Sequence, residues 1–124
     1  MSEVKQFTRI VTDAAGGSTF EDDEFPVDAV EGATGMFSGT VPAASAVVYG
    51  RHDAWEVAAH PAPHNAPRPQ WVVVLRGAVE VEVTDGSRRT FGPGDLLRAE
   101  DTDGAGHITR PVGDPPVEAL YLPG

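Results

Sequence analysis

The sequence contains no cysteine, which excludes disulfide bonds, thiol nucleophiles and thiolate metal ligands. Basic residues are also few, with 9 Lys and Arg against 19 Asp and Glu, so the formal net charge is −10. Because nucleic acids and anionic membranes are bound through clustered Lys and Arg, we expect neither as a partner. No apolar run approaches the roughly 18 residues of a membrane span, and Met1 to Ile10 lacks a signal-peptide core. A cytoplasmic location is therefore expected.

At 124 residues the chain has the length of one domain and is large enough to bury a core. No repeat, low-complexity run or domain boundary divides it, so residues 1–124 are expected to form a single domain. Short apolar segments are separated by Gly, Pro and Asp, with no helical stretch between them in the second half of the chain. This pattern is typical of antiparallel strands in a small barrel or a double-sheet jelly roll.

The strongest strand signals lie in the second half of the chain. Trp71 to Leu75 is a continuous apolar run bounded by proline and glycine, which predicts a strand buried on both faces. Ala78 to Val83 alternates valine with glutamate, the period of two expected of a strand with one dry and one wet face. An Arg-Gly pair between these strands predicts a tight turn. Asp-Gly and Gly-Pro-Gly-Asp corners then predict further strands at Ser87 to Phe91 and from Leu96 onward.

The first half of the chain is less regular. Val4 to Val11 alternates loosely and predicts a first strand, and the acidic segment Ser18 to Pro26 fits a charged edge strand. Val27 to Thr40 is rich in glycine and is interpreted as a loop or lid over the barrel mouth, with Phe37 as an inward side chain. A hairpin is predicted from two further strands, Ser45 to Gly50 and Ala54 to His60.

Two motifs in the second half resemble those of the cupin superfamily, a group of small jelly-roll barrels. The first cupin motif contains HxH and then a Glu; here His64 matches the first His, Ala66 stands at the second, and Gln70 stands at the Glu. The second motif, PGD followed by a strand and a His, is matched by Pro93 to Asp95 and by His107.

The resemblance extends to a group of compact single-domain cupins. In that group an arginine strand, here with Arg9, precedes a GxSxFED segment, here Gly16 to Asp22. HxAPRxQ follows at His64 to Gln70, and PGDxLxxEDTxGxGH at Pro93 to His107. The match covers most of the chain and implies an all-β cupin jelly-roll barrel, the double-stranded β-helix. It also implies a homodimer, but no single activity.

A cupin metal site presents three histidines and one glutamate, a set that suits divalent iron, manganese, nickel or zinc. The matching positions here hold His64, Ala66, Gln70 and His107, so one imidazole and the carboxylate are replaced. His52 or His60, from a neighbouring strand, and Glu100 or Asp101, as the source of the missing charge, are candidates to complete the set. The sequence therefore favours a site without a cofactor and leaves a divalent metal possible.

Without a metal, the same residues suit acid/base chemistry. Histidine titrates near neutral pH, so His64 or His107 is a candidate general base or acid. Gln70 would donate a hydrogen bond to a substrate carbonyl or to a developing oxyanion. A carboxylate from Glu100 or Asp101 that binds the His107 ring would fix its tautomer, although a capping role for the loop is the plainer interpretation. Candidate substrate-binding residues are Arg68, Tyr49, Trp55, Val72, Val74 and Phe37.

Three functions remain open on the sequence. The first is an enzyme of non-oxidative acid/base chemistry, of isomerase, dehydratase or cyclase type, acting on a small and largely apolar metabolite, as in a biosynthetic pathway. The second is a metal-dependent cupin, either an oxygenase or a sugar- or acid-modifying enzyme. The third is a module that binds or senses a small molecule without catalysis.

Overall fold

The computed structural model describes residues 2–41, 46–52, 62–114 and 116–124, which form ten β-strands and no helix. The strands are Ser2–Thr12 (β1), Ser18–Ala29 (β2), Phe37–Ser38 (β3), Val48–His52 (β4), Gln70–Arg76 (β5), Ala78–Glu82 (β6), Arg88–Phe91 (β7), Leu96–Ala99 (β8), Ile108–Val112 (β9) and Val117–Pro123 (β10). In these residues no helix is long and apolar enough to cross a membrane.

The strands are arranged in two sheets. One sheet has seven strands in the order β3-β2-β1-β8-β5-β10-β4, and the other has three in the order β7-β6-β9. Neighbouring strands run antiparallel except β1 and β8, which are parallel over Thr8 to Ile10. The all-β prediction is confirmed. The predicted closed barrel is not found, because the two sheets stay separate in the part of the chain that the structure describes.

Strand β5 is covered on both faces over Trp71 to Val74, whereas Leu75, also predicted to be buried, is 46% exposed. It lies between β8 and β10 in the large sheet, so its backbone groups are paired on both edges. Val74 is 2% exposed on the inner face, and Trp71 is 4% exposed on the outer face. The Trp71 ring meets the edge of Phe7 with 4.6 Å between ring centroids, and the Arg98 guanidinium lies 5.3 Å from its centroid. These contacts shield the Trp71 side chain from solvent on the outer face of β5.

Strand β6 has the dry and wet faces that its alternation predicts. Val81 is buried against the large sheet, whereas Glu80 and Glu82 form ion pairs with arginines of the flanking strands, Arg88 and Arg110. The core between the two sheets is formed by Ile10, Val74, Val81, Val83, Phe91 and Leu97.

Two loop predictions need correction. The Gly-rich segment Val27 to Thr40 is partly strand, because β2 runs on to Ala29 and β3 pairs with its end. The Arg76-Gly77 pair does not close a hairpin: it is a corner at which the chain leaves the large sheet and enters the small one. Gly77 has a φ of +77°, and a Cβ at this position would lie 2.8 Å from the Pro116 carbonyl oxygen. The predicted strand Ala54 to His60 lies outside the described residues.

Candidate functional site

A cavity of about 280 Å³ lies between the two sheets. Its walls are mostly valine, leucine, isoleucine and alanine side chains from β1, β5, β6, β8 and β10. Polar side chains are concentrated where the chain segments before β5 and before β9 meet. The lining residues are Ile10, His52, His64, Asn65, Ala66, Pro67, Gln70, Val72, Val74, Val79, Val81, Leu97, Ala99, His107, Thr109, Val117, Ala119 and Tyr121.

His64 and His107 are direct neighbours at this cavity. Their backbones form an isolated antiparallel bridge in which each N–H donates to the carbonyl of the other, both at 2.9 Å. The two imidazole centroids lie 4.6 Å apart, with the rings inclined by 57°. Two histidines that are distant in the sequence therefore form one paired group.

The His107 ring is held from behind by a buried carboxylate. Nδ1 of His107 forms a hydrogen bond with Oδ2 of Asp101, and Asp101 is 0% exposed. Because an ionised carboxylate only accepts hydrogen bonds, Nδ1 of His107 is the donor in this contact, and in the neutral ring Nε2 then keeps its lone pair. The arrangement provides an oriented imidazole base whose protonated form is stabilised by the carboxylate.

The surroundings of the His64 ring favour its uncharged form. Burial of the ring lowers the pKa of His64 below its ordinary value, and positive charge on His107 would lower it further. A hydrogen bond to the Ala62 backbone and the charge of Asp101 oppose this shift without reversing it. At neutral pH the pair thus offers a neutral imidazole beside the His107–Asp101 pair.

The loop from Glu100 to His107 is fixed from two sides. From the β1–β2 hairpin, the fully buried Ser18 hydroxyl donates to the Gly106 carbonyl at 2.6 Å. From the segment before β5, the Asn65 side-chain amide donates to the carbonyls of Asp103 at 2.9 Å and of Asp101 and Gly104 at 3.2 Å. This loop, defined as residues 100–107 and called the histidine loop below, places His107 at the cavity.

Two glycines of the histidine loop are required by close backbone approach. Gly106 has a φ of +74°, and a Cβ there would lie 2.3 Å from the His64 carbonyl oxygen. Gly104 has a φ of +77°, and its Cβ would lie 2.4 Å from the Gly16 carbonyl oxygen. The GxGH spacing before His107 is therefore explained by the contacts that the loop makes with its two neighbours.

Three of the predicted site residues line the cavity together with the histidines: Gln70, Val72 and Val74. Gln70 lies at the histidine end of β5, where it pairs with Ala99. Among the described residues its carboxamide has no hydrogen-bond partner, so both polar atoms are available to a ligand.

Other predicted residues lie elsewhere. Tyr49 and Phe37 are 53% and 41% exposed, Arg68 is also exposed, and none of the three lines the cavity. Tyr49 points to the outer face because it is out of phase with the cavity-lining His52 on the same strand, and its hydroxyl donates to Glu118. Trp55 and His60 lie outside the described residues.

Glu100 is not available as a metal ligand. Ala99 faces the cavity, so the next residue along β8 faces the opposite side. There the Glu100 carboxylate accepts from Arg9 at 2.5 Å and lies 3.6 Å from Arg98. The neighbouring Asp101 is the carboxylate that binds the His107 ring.

Sequence reasoning missed several residues of the cavity. His52, which the sequence predicts to be solvated in a hairpin turn, is exposed as predicted, but it belongs to β4 and also lines the cavity. Tyr121 was not considered, although the alternation of Val117, Ala119 and Tyr121 along β10 is a period-two signal of an inward face. The Tyr121 ring packs against Gly50, where an added Cβ would lie 2.8 Å from Cε2 of Tyr121. Burial raises the pKa of the Tyr121 phenol.

The cupin resemblance implies a divalent metal, and the described residues fit one poorly. Ala66 stands where an imidazole would be, Gln70 offers a neutral oxygen, and Glu100 faces away. Within residues 2–41, 46–52, 62–114 and 116–124, no group of three or more His, Asp or Glu side chains is arranged to hold a metal ion. Two imidazoles and a carboxamide form a weaker set than three imidazoles and a carboxylate, so no step is derived through a metal. The possible divalent metal stays a prediction.

Comparison with protein-family models gives no match for this chain, and comparison with curated proteins gives none either.

Proposed function

We propose that this protein is an enzyme of small-molecule metabolism that moves a proton without oxidation, of isomerase, dehydratase or cyclase type. One observation carries the proposal: an imidazole backed by a buried carboxylate lines a largely apolar cavity between the two sheets. Charged groups are costly to bury, and a buried carboxylate bound to a histidine at a cavity is a recurrent feature of acid/base sites. The arrangement of Asp101 and His107 is therefore better explained by chemistry than by packing.

The proposed chemistry is removal of a proton from carbon next to a carbonyl group. The C–H bond breaks, its electron pair moves toward the carbonyl oxygen to give an enolate, and Nε2 of His107 takes the proton. Asp101 stabilises the imidazolium that forms. The Gln70 amide would donate a hydrogen bond to the enolate oxygen. Return of the proton from His107 to a different carbon gives an isomer. Transfer of that proton to a neighbouring hydroxyl, which leaves as water while the enolate electron pair forms the C=C bond, gives a dehydrated product.

Neutral His64 has a supporting part in this scheme. Its ring lies next to His107, and a second positive charge at this distance would oppose protonation of the base. His64 is exposed at the surface of the protein, but partial desolvation of its ring lowers its pKa, which favours the uncharged form and reduces that repulsion. His64 would then bind the substrate oxygen or pass a proton between the cavity and solvent.

We also infer that the chain is a cupin whose sheets correspond to the two halves of the jelly roll. Support comes from the convergence of the motif residues on one structural unit. Ser18 of the GxSxFED segment, His64 of HxAPRxQ and Gly106 of the second motif all bind within the histidine loop or directly to it. A homodimer and a cytoplasmic location are part of this proposal.

Proton abstraction is testable before the natural substrate is known. Cyclic and acyclic ketones are incubated with the protein in deuterium oxide, and exchange at the carbon next to the carbonyl is followed by proton NMR. We expect catalysed exchange that His107→Ala abolishes. Asp103→Asn is the control, because Asp103 lies on the same loop with an exposed side chain. Equal exchange by wild type and His107→Ala would refute the proposal.

A binding module without catalysis is the second candidate, favoured by the largely apolar, enclosed cavity. A pure binder would be stabilised by its ligand and would release it unchanged after long incubation. Ligand-dependent stabilisation combined with no exchange for any bound ketone would select this function over the enzyme.

A further inference from the structure

In the part of the chain that the structure describes, no permanently charged side chain lines the cavity. Among the described residues that line it, none is Asp, Glu, Lys or Arg. The ionisable lining groups are three histidines and Tyr121, and burial shifts the pKa values of His64 and Tyr121 toward their uncharged forms. The carboxylate nearest to the cavity, Asp101, is completely buried and bound to His107.

A charged ligand would therefore lose its hydration on entry without gaining an ion pair with any Asp, Glu, Lys or Arg of the described lining. The cost of burying an unpaired ion far exceeds that of burying a carbonyl or hydroxyl that finds a hydrogen bond. A carboxylate ligand would meet the additional repulsion of Asp101. Arg68, the cation expected from the sequence to bind a substrate carboxylate, is exposed and does not line the cavity.

The volume limits the size of the ligand. A cavity of about 280 Å³ has the liquid volume of about nine water molecules at roughly 30 Å³ each. This corresponds to on the order of ten non-hydrogen atoms, at the lower limit of ordinary ligand sites. The wall on the β4 side is fixed by the Tyr121 ring, which occupies the space above Gly50.

Most polar groups of the wall lie at one end of the strands, and His52, which pairs with Val117 on β10, lies at the other end. On β5, Gln70 lies at the end near His64 and His107, whereas Val72 and Val74 continue the wall away from it. Facing them, Val79 and Val81 of β6 are apolar, and Thr109 of β9 follows closely after His107. A ligand with a hydrocarbon body and its main polar group at the end of Gln70, His64 and His107 is complementary to this distribution.

We propose that the cavity binds an uncharged ligand of on the order of ten non-hydrogen atoms, with a hydrocarbon body between the sheets and one carbonyl or hydroxyl oxygen at the end of His64, His107 and Gln70. This ligand class rests on the proposed function, because the oxygen at the polar end is the group on which the proposed chemistry acts. It goes further by stating the charge, size and orientation of the molecule on which that chemistry acts.

Three six-membered-ring probes of similar size test the charge preference: cyclohexanone, cyclohexanecarboxylate and cyclohexylammonium. Binding to the full chain is measured at neutral pH by NMR titration of backbone amides. We expect cyclohexanone to bind at least about tenfold more tightly than either ion, with shifts at Gln70, Val72 and His107. Equal or tighter binding of an ion would overturn the inference, as would failure of all three probes to bind.

Two valines of the same strand test the location. Val72→Phe would fill part of the cavity, whereas Val73→Phe places the same bulk on the opposite face of β5. We expect Val72→Phe to abolish cyclohexanone binding and Val73→Phe to preserve it; the reverse would contradict the inference. The charge preference is read on wild type and does not depend on the folding of either variant.

The ligand class and the catalytic proposal fail in different experiments. Cyclohexanone that binds with the expected preference but shows no His107-dependent deuterium exchange would support the ligand class and count against catalysis. His107-dependent deuterium exchange combined with preferred binding of an ion would support catalysis and count against the proposed ligand class.

Discussion

The carboxylate of Asp101 and the ring of His107 form a buried pair in which each has the other as its main polar partner. Oδ2 of Asp101 binds Nδ1 of His107, and in the described part of the chain Oδ1 has no hydrogen-bond partner at all. Asp101 is 0% exposed and His107 is 7% exposed. The orientation of the imidazole therefore depends on this one contact.

Asp101→Asn is expected to reduce the proposed proton abstraction by about 100-fold or more, because an amide does not stabilise the imidazolium and can select the wrong tautomer of His107. Nitrogen NMR of the imidazole rings measures the tautomer without a substrate. In wild type we expect the proton on Nδ1 of His107. Asp103→Asn is the matched control and should leave both tautomer and rate unchanged. A wild-type tautomer in Asp101→Asn with a full rate would contradict the role of Asp101.

His107→Ala is expected to destabilise the protein by about 3 kcal/mol or more, because it leaves a buried carboxylate without a partner. In an Asp101→Asn background the same substitution should cost less, since no charge is left unpaired. A double-mutant cycle by urea denaturation measures this coupling. Additive costs within about 0.5 kcal/mol would mean that the pair contributes nothing to stability beyond the separate side chains.

Gly106→Ala is expected to cost several kcal/mol and to separate His64 from His107, because the added Cβ would meet the His64 carbonyl at 2.3 Å on a residue with positive φ. Gly86→Ala is the control that measures the cost of backbone strain without a steric clash. Gly86 has a φ of +88°, but nothing lies within 4 Å of its Cβ position. It should cost about 1 kcal/mol and leave ligand binding intact. Similar losses in the two variants, measured by denaturation and probe binding, would contradict the steric explanation.

The stability of the fold is expected to depend on pH through His64. Burial lowers its pKa in the folded state, whereas the unfolded chain titrates near about 6.5. The unfolded state therefore binds the proton first as pH falls, so this contribution is complete above the unfolded value and is lost as pH falls below it toward the folded pKa. His64→Asn should flatten the fall in the urea midpoint between pH 7.5 and pH 5.5. An identical slope in the variant would exclude His64 as its source.

Gln70→Glu is expected to bind divalent cations more tightly than wild type, since it places a carboxylate beside two imidazoles at the cavity. The increase in melting temperature with nickel, manganese or zinc measures the effect, and elemental mass spectrometry of untagged protein gives the metal content. Gln6→Glu, outside this cavity, is the control for added negative charge. Near-stoichiometric metal in wild type, with a melting temperature that falls on chelation, would instead favour the metal-dependent cupin.

The periodicity of the sequence predicts the strands well where one local rule dominates. Trp71 to Leu75 and Ala78 to Val83 become β5 and β6, and the Asp85-Gly86 turn joins β6 to β7 as expected. Sheet membership could not be derived in this way. Nothing local to Arg76 and Gly77 distinguishes a hairpin from a corner between sheets, because the difference depends on contacts with Pro116 far along the chain.

The site was predicted only in part, for a similar reason. His64, Gln70 and His107 carry the motif signal, and the structure brings them to one cavity. The choice between Glu100 and Asp101 depends on the phase of β8, which the sequence leaves open. The structure turns Glu100 to Arg9 and Asp101 to His107. His52 and Tyr121 lacked any motif, and their inward orientation follows from pairing between β4 and β10.

The hydrogen bond from Ser18 to Gly106 joins residues 88 positions apart. During synthesis the N-terminal hairpin leaves the ribosome long before the histidine loop that it must hold. The cavity is therefore incomplete until nearly the whole chain has emerged, because β10, which follows the histidine loop, also supplies part of its wall. A ligand bound there acts on a finished protein, and a truncated chain that lacks the histidine loop would retain most of the strands but have no site.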